Sequence, residues 1–198
     1  MRSIKLVVLL AMLFSATAFA NNDVYIEQIG NSSTITITQQ GADNKIGTPT
    51  TPAFIGGGSN IVTIDQIGDA NQLQFVVNGA STNMALNVVG SNNTQTINCG
   101  TTTSASCSGS TINQTITGDG NQTTVNLGAG ANHTSLMSVT GSDNIITHTS
   151  TSAGTTSADI TVSGNTNTIG VTQSGTLTNT VVLSTTGNNN TVSITQSN

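Results

Sequence analysis

The asparagine and glutamine side chains of this sequence are spaced so that they could form hydrogen bonds with one another. Asn121, Asn144, Asn167 and Asn190 lie 23 residues apart. A carboxamide donates and accepts hydrogen bonds at once, so equal amides stacked above one another can pair in a continuous ladder. Burying an amide costs several kcal/mol unless it is paired. The spacing therefore indicates amides that pair with their own repeats.

Further amides share this spacing or close the segments that the asparagines open. The side chains predicted to form polymer ladders are Asn22, Gln28, Gln39, Asn44, Asn60, Gln66, Asn71, Asn121, Asn144, Asn167, Gln173, Asn179, Asn190 and Gln196.

Short β-strands must position these amides. Each segment opens on a small polar residue, places apolar residues at the second and fourth following positions, and closes near a glycine, as in Asn190 to Gln196. Two such strands fill each repeat of about 23 residues, which is typical of a β-solenoid. The pattern predicts an all-β solenoid of about 7.5 coils that stacks into a cross-β-like fibre.

The predicted strand openings and inward residues define the phase of each strand. The openings are Asn22, Ser33, Asn44, Asn60, Asn71, Asn83, Asn93, Ser110, Asn121, Asn132, Asn144, Thr156, Asn167, Asn179 and Asn190. The inward apolar residues include Ile35, Ile37, Val62, Ile64, Leu73, Phe75, Ile112, Ile116, Leu136, Ile160, Ile169, Val192 and Ile194. Between Met84 and Val89 either set of alternate residues could face inward.

The first twenty residues have the pattern of a secretory signal peptide. Arg2 and Lys5 precede an apolar run, and Ala18-Phe-Ala20 supplies a cleavage pattern. We therefore expect residues 1–20 to be removed, residues 21–198 to form one repeat domain, and the mature chain not to insert in a membrane. Its location would be extracellular or at the cell surface.

Composition excludes nucleic acid as a partner. Beyond residue 20, Lys45 is the one basic side chain against eight acidic ones. Affinity for phosphate backbones is built from lysine and arginine. Charged residues make up 6% of the chain, far below the usual share of about 25%. Such a surface suits a molecule whose backbone pairs extensively.

Two insertions interrupt the spacing, and both are expected as surface loops at one edge of the rod. They span residues 47–59 and 99–109. The second contains Cys99 and Cys107, which in a secreted protein are expected to form a disulfide. A loop this short would gain roughly 2.5 kcal/mol from the bond. Two free thiols are the alternative.

No constellation of catalytic or metal-binding residues stands out. His133 and His148 have no cysteine or carboxylate at ligand spacing, and the acidic residues occur singly. The sequence therefore predicts neither an enzyme nor a cofactor or metal site.

The segments at 34–44 (TITITQQGADN) and 62–71 (VTIDQIGDAN) resemble curlin repeats, and the same form returns at 171–175 and 193–196. Curlin repeats build curli, the extracellular functional amyloid of bacteria. The resemblance implies a fibre subunit in biofilm matrix and cell adhesion. It also implies a nucleator subunit and an outer-membrane export machinery as partners. Whether this chain is the major subunit or the nucleator stays open.

The ends of the repeat array favour assembly. A solenoid normally needs caps because its terminal strands expose unpaired backbone groups. Both terminal strands here are good repeats, so copies are expected to stack head to tail. The alternatives are a monomeric solenoid that binds ice or carbohydrate, and a phage fibre component. The ice-binding alternative rests on outward threonines such as Thr94, Thr96, Thr147 and Thr149.

Overall fold

The computed structural model describes residues 21–27, 32–51, 53–54, 56, 59–76, 81–98, 100, 109–128 and 132–198. The predicted signal peptide, Gln28, and the predicted Cys99–Cys107 disulfide lie outside these residues. The described residues contain strands and turns but no helix, and hence none long and apolar enough to cross a membrane.

Eighteen strands are described, several of them short pieces of one coil. They are β1 (Asp23–Val24), β2 (Ile26–Glu27), β3 (Thr34–Gln40), β4 (Lys45–Ile46), β5 (Ala53–Phe54), β6 (Ile61–Ile67), β7 (Gln72–Gln74), β8 (Asn83–Met84), β9 (Asn87–Val89), β10 (Thr94–Thr96), β11 (Thr111–Thr117), β12 (Gln122–Leu127), β13 (His133–Thr140), β14 (Ile145–Ser150), β15 (Thr156–Ser163), β16 (Thr168–Ser174), β17 (Asn179–Thr186) and β18 (Thr191–Ser197).

The strands form two parallel sheets that face each other. The first sheet has the order β1-β4-β7-β10-β12-β14-β16-β18, and the second has β3-β6-β8-β11-β13-β15-β17, with β9 continuing the coil of β8. Each strand pairs in register with the strand one coil away, as Thr168 does with Thr191. The small β2–β5 pair continues the first sheet. The predicted β-solenoid is confirmed.

Apolar side chains from alternate positions fill the space between the sheets. Ile64, Phe75, Ile112, Ile116 and Ile160 are fully buried, as the period of two predicts. In the interval that the sequence left open, Met84, Leu86 and Val88 are the buried set.

The phase prediction is wrong in two strands of the second sheet. His133, Ser135, Met137 and Val139 face inward in β13, so Leu136 lies on the outer side. The coil of β8 opens on buried Thr82, one residue before the predicted Asn83. Asn132 is likewise exposed, and His133 takes the opening position. In both places a buried polar residue other than asparagine opens the strand.

A glycine begins every tight corner that leads from the second sheet to the first. These glycines have φ between +111° and +132°, and the third corner residue has φ between +57° and +68°. A Cβ added at Gly118 would lie 2.1 Å from the carbonyl oxygen of Gly141 in the next coil. Glycine is therefore required both by the left-handed backbone and by the close stacking of coils. The corner glycines are Gly41, Gly68, Gly90, Gly118, Gly141, Gly164 and Gly187.

The first insertion differs from the prediction of a loop after a strand. The register pairs Val24 with Ile46 and Ile26 with Ala53. Residues 48–51 are therefore extra residues inside one strand of the first sheet. Thr48 and Thr51 close this insertion with reciprocal backbone hydrogen bonds of 2.9 and 3.2 Å.

Candidate assembly site

Eight asparagines stack in one column at the start of the first-sheet strands. In every step, the backbone N–H and the side-chain Nδ2 of one asparagine donate to Oδ1 of the asparagine one coil before it, at 2.9–3.3 Å. The members of this asparagine ladder are Asn22, Asn44, Asn71, Asn93, Asn121, Asn144, Asn167 and Asn190.

The ladder also ties the tight corners to the strands. Nδ2 of Asn44 donates 2.7 Å to the carbonyl oxygen of Gly68, which begins the corner of the following coil. The same contact recurs from Asn22 through Asn144 at 2.7–3.0 Å. Each such interior amide therefore links three successive coils. Removing one amide would leave buried groups in its neighbours without partners.

The hydrogen bonds that the ladder asparagines donate to one another's Oδ1 all run in one direction, so its two ends differ. At the N-terminal end, the backbone N–H of Asn22 and one Nδ2 hydrogen have no coil before them among the described residues. At the C-terminal end, Oδ1 of Asn190 accepts no hydrogen bond from the described residues, although every earlier Oδ1 accepts two. One end therefore offers donors and the other offers an acceptor.

The corners carry a second polar column, on their solvent side. The backbone N–H of Ala42 donates 2.7 Å to Asp69 Oδ1 of the next coil, and that of Ser91 donates 2.7 Å to Asp119 Oδ1. Serine and asparagine side chains take the same role, as Asn188 does for the N–H of Asn165 at 2.7 Å. These contacts satisfy corner N–H groups that have no partner within their own coil.

The predicted glutamines form two separate pairs. Gln39 Nε2 donates 2.8 Å to Gln66 Oε1 in the second sheet, and Gln173 Nε2 donates 3.2 Å to Gln196 Oε1 in the first. The pairs lie at opposite ends of the rod, and each runs from the earlier coil to the later one.

Asn60 and Asn179 lie outside the asparagine ladder. They open strands of the second sheet, in the column Ser33, Asn60, Thr82, Ser110, His133, Thr156 and Asn179. Asn60 Nδ2 donates 2.6 Å to Gly56, and Asn179 Nδ2 donates 2.9 Å to Ser174, so both amides pair with backbone. Asn93 belongs to the ladder but was not among the predicted ladder residues. Its corner, Gly90 to Asn93, has the same form as the others and could have identified it.

The two end faces of the rod expose apolar residues that are buried in interior coils. Val24 stacks on fully buried Ile46, yet 44% of Val24 is exposed, and no coil lies before it in the part of the chain that the structure describes. Ile35 and Ile37 are half-buried at the same face, and Val192 and Ile194 are half-buried at the other. Both faces therefore present an unfinished core framed by strand edges with unpaired backbone groups.

A polar cluster interrupts the core around β13 and β14. His148 Nδ1 lies 2.9 Å from Ser135 Oγ, and its Nε2 lies 3.0 Å from Gln173 Oε1. His133 Nδ1 contacts Thr156 Oγ1, while its Nε2 has no partner among the described residues. Burial lowers the pKa of both histidines, and the proximity of His133 lowers the pKa of His148 further.

The described residues contain no group of three or more His, Cys, Asp or Glu that could hold a metal ion. The acidic side chains named above, Asp69 and Asp119, accept backbone hydrogen bonds at exposed corners. Stacking therefore brings together amides, which form hydrogen bonds with one another, and apolar side chains, which are buried against one another.

These features define a class of protein: a parallel β-solenoid whose coils are joined by a continuous asparagine ladder. Residues 19–41 match the family model described as the curlin associated repeat. Residues 19–41 are thus similar to a curlin repeat. No curated protein and no solved structure matches the chain.

The ladder predicts a large effect of removing one interior amide. Asn121→Ala leaves the backbone N–H and one Nδ2 hydrogen of Asn144 and the carbonyl oxygen of Gly141 without a partner, and it removes one of the two hydrogen bonds that Asn93 Oδ1 accepts. We expect a loss of about 3 kcal/mol in the free energy of unfolding. Urea unfolding of the freshly diluted monomer, followed by circular dichroism, measures it.

Asn113→Ala is the matched control, because Asn113 is exposed on the outer side of β11. It should change stability by less than about 0.5 kcal/mol. Equal effects of the two substitutions would contradict the energetic role of the ladder.

The histidine cluster predicts that acid destabilises the fold. Both pKa values are lower in the folded state than the ordinary value of 6.5, so the unfolded chain binds protons first as the pH falls. The histidine contribution is complete above about pH 6.5 and is lost progressively below it. Unfolding midpoints measured from pH 7.5 to pH 5 should fall with pH.

The double variant His133→Thr/His148→Gln should show a shallower fall over the same range, since it removes both titrating groups. An unchanged slope would mean that these histidines are not the source of the acid sensitivity.

Proposed function

We propose that this protein is the structural subunit of a secreted, curli-like extracellular fibre that grows by head-to-tail stacking of its terminal coils. The curlin repeat and the β-solenoid fold support this class of function. Biofilm matrix and cell adhesion are the roles that the resemblance implies for such a fibre. The chain acts through assembly and not as an enzyme.

The observation that carries the proposal is the complementarity of the two end faces. One face offers the donors of Asn22 and the other offers unsatisfied acceptors such as Asn190 Oδ1. Each face also leaves apolar side chains half-buried that a further coil would cover. A second copy of the chain supplies that coil in the correct strand direction and register. Because donor and acceptor faces differ, the contact is heterologous and generates an open filament.

The energy of growth comes from two sources. Burial of Val24, Ile35, Ile37, Val192 and Ile194 supplies roughly 25 cal/mol for each Å² of apolar surface removed from water. Paired amides add direction and register, because an amide placed one residue out of step would be buried without a partner. Addition at a strand edge also pairs the backbone groups that the edge leaves open.

The proposed partners and location follow from the resemblance. A homopolymer is the first partner, with a nucleator subunit and an outer-membrane export machinery in addition. Residues 1–20 would direct secretion and be removed, so the fibre forms outside the cell.

A monomeric binding module is the second candidate function, based on outward threonines. The columns Thr111, Thr134, Ser157, Thr180 and Thr117, Thr140, Ser163, Thr186 lie on the outer side of the second sheet. Between them runs a mixed column of Asn113, Leu136, Asp159 and Val182, and Val182 is 77% exposed. A regular threonine lattice is therefore broken along its centre, which favours the fibre.

Growth should depend on the inward side chains of the terminal strand. Ile194→Asp places a charge in the face that the next copy must cover, and desolvating an unpaired carboxylate is expensive. We expect growth of residues 21–198, followed by thioflavin fluorescence and electron microscopy, to slow at least tenfold. Ser193→Asp is the control, because Ser193 points outward from the same strand, and its growth should stay near the wild-type rate.

Substoichiometric Ile194→Asp gives a second readout. Its N-terminal face is intact, so it should add to growing ends and stop them. Unimpaired growth of Ile194→Asp, or equal impairment by both substitutions, would contradict growth through this face.

A further inference from the structure

The two sheets of the rod contain different numbers of strands, and this difference constrains how two copies can join. The first sheet has eight stacked strands and the second has seven levels. Among the described residues the first strand is β1 and the last is β18, and both belong to the first sheet. If one strand level is called a half-coil, residues 21–198 therefore contain an odd number of half-coils.

A joint without rotation leaves a vacancy. If β1 of the incoming copy stacks on β18, then β3 of that copy lies two levels above β17, with one strand missing between them. Two strand edges would stay unpaired, and the apolar residues Val181 and Leu183 on β17 would lack a covering coil. The vacancy is one strand wide, about 4.8 Å. It leaves the backbone groups of β17 and of the incoming β3 buried without partners.

On the proposed function, we propose that successive copies are related by a half-turn about the rod axis. The incoming β1 then stacks on β17 of the second sheet, and the incoming β3 stacks on β18 of the first. This arrangement fills every level. It also follows the path that the chain would take if it continued beyond Asn198, because β17 and the strand after β18 start at the same edge of the rod.

Side chains match in register across the half-turn joint. When residues are counted from the opening residue of each strand, Val24 stacks on Val181 and Ile26 stacks on Leu183. In the other sheet, Ile35 stacks on Val192 and Ile37 stacks on Ile194. Every inward apolar residue of one face therefore meets an apolar residue of the other. Both halves of the unfinished core are covered, instead of one half in the unrotated joint.

Polar groups match in direction as well. Gln39 falls on Gln196, whose Nε2 is free to donate onward because its Oε1 already accepts from Gln173. Gln39 uses its Nε2 for Gln66, which leaves its Oε1 to accept. Ser33 falls on Asn190, and Ser33 Oγ is a buried hydroxyl without a partner in the described residues. The free acceptor Asn190 Oδ1 is the partner that this hydroxyl lacks.

Asn22 falls on Asn179 in the same joint. Asn198 Nδ2 donates 2.8 Å to Asn179 Oδ1, so the C-terminal residue occupies this acceptor before a copy arrives. The Oδ1 atoms of the ladder from Asn22 to Asn167 each accept two hydrogen bonds, as that of Asn144 does, so Asn22 could share the oxygen or displace Asn198.

The corners support the same arrangement. Across a half-turn, the incoming residues 30–33 follow the corner at residues 187–190 in sequence position. Their sequences are Gly-Asn-Ser-Ser and Gly-Asn-Asn-Asn. The third residues, Ser32 and Asn189, have φ of 67° and 57°. Ser32 thus has the positive φ of the third residue of the tight corners.

Disulfide cross-linking in filaments tests the joint, in a background in which Cys99 and Cys107 are replaced by serine. The half-turn joint and the unrotated joint can be distinguished at three outward residues, Tyr25, Thr36 and Ser193. Each is the third residue after the opening residue of its strand. The half-turn places Ser193 beside Thr36 of the next copy, with Cα atoms about 4.8 Å apart, within the range of a disulfide. The unrotated joint places Ser193 beside Tyr25.

After mild oxidation of filaments, Ser193→Cys/Thr36→Cys should give covalent dimers and higher oligomers on a non-reducing gel. Ser193→Cys/Tyr25→Cys should give at least tenfold less, since these residues lie on opposite faces. A second half-turn pair, Val182→Cys/Tyr25→Cys, should cross-link as well.

Cross-linking of the 193–25 pair alone, or of no pair in filaments that electron microscopy confirms, would overturn the half-turn while leaving the proposed fibre standing. Absence of filaments from the background protein and the wild type would overturn both.

Discussion

The buried asparagine column is the interaction on which the rest of the structure depends. An amide inside a protein must find partners for both its donor and its acceptor groups. Here the partners are the equivalent amide one coil before and a glycine carbonyl one coil after. A single coil cannot satisfy its own asparagine. The requirement to stack is thus contained in each repeat, and apolar burial alone would not set the register so tightly.

The corner geometry follows from this column. The asparagine reaches the next coil only if the corner before it is short and lies close to its neighbour. A glycine at the first corner position permits that approach, because a Cβ there would meet the next carbonyl oxygen at about 2 Å. The opposite edge of the rod has no such column, and there the chain tolerates corners of different length. The second sheet likewise tolerates serine, threonine and histidine at its openings.

Much of this arrangement could be predicted from the sequence, because the repeat of about 23 residues is visible in its asparagines and apolar residues. The errors fall where the inward set is polar. In β13, His133 and Ser135 face inward, and a period of two based on apolar residues selected Leu136 instead. Thr82 was missed for the same reason. The register of β5 depends on where the extra residues that follow Gly47 leave the strand, and no local pattern indicates that point.

Direct imaging of filaments tests the central claim, that the stacked sheets and their core continue from one copy to the next. Residues 21–198 would be diluted from denaturant to micromolar concentration and examined over a day by electron microscopy and fibre diffraction. The account predicts unbranched filaments with a meridional reflection near 4.8 Å, the spacing of stacked strands. Persistent single rods, about 35 Å long from the stacked coils, would contradict it.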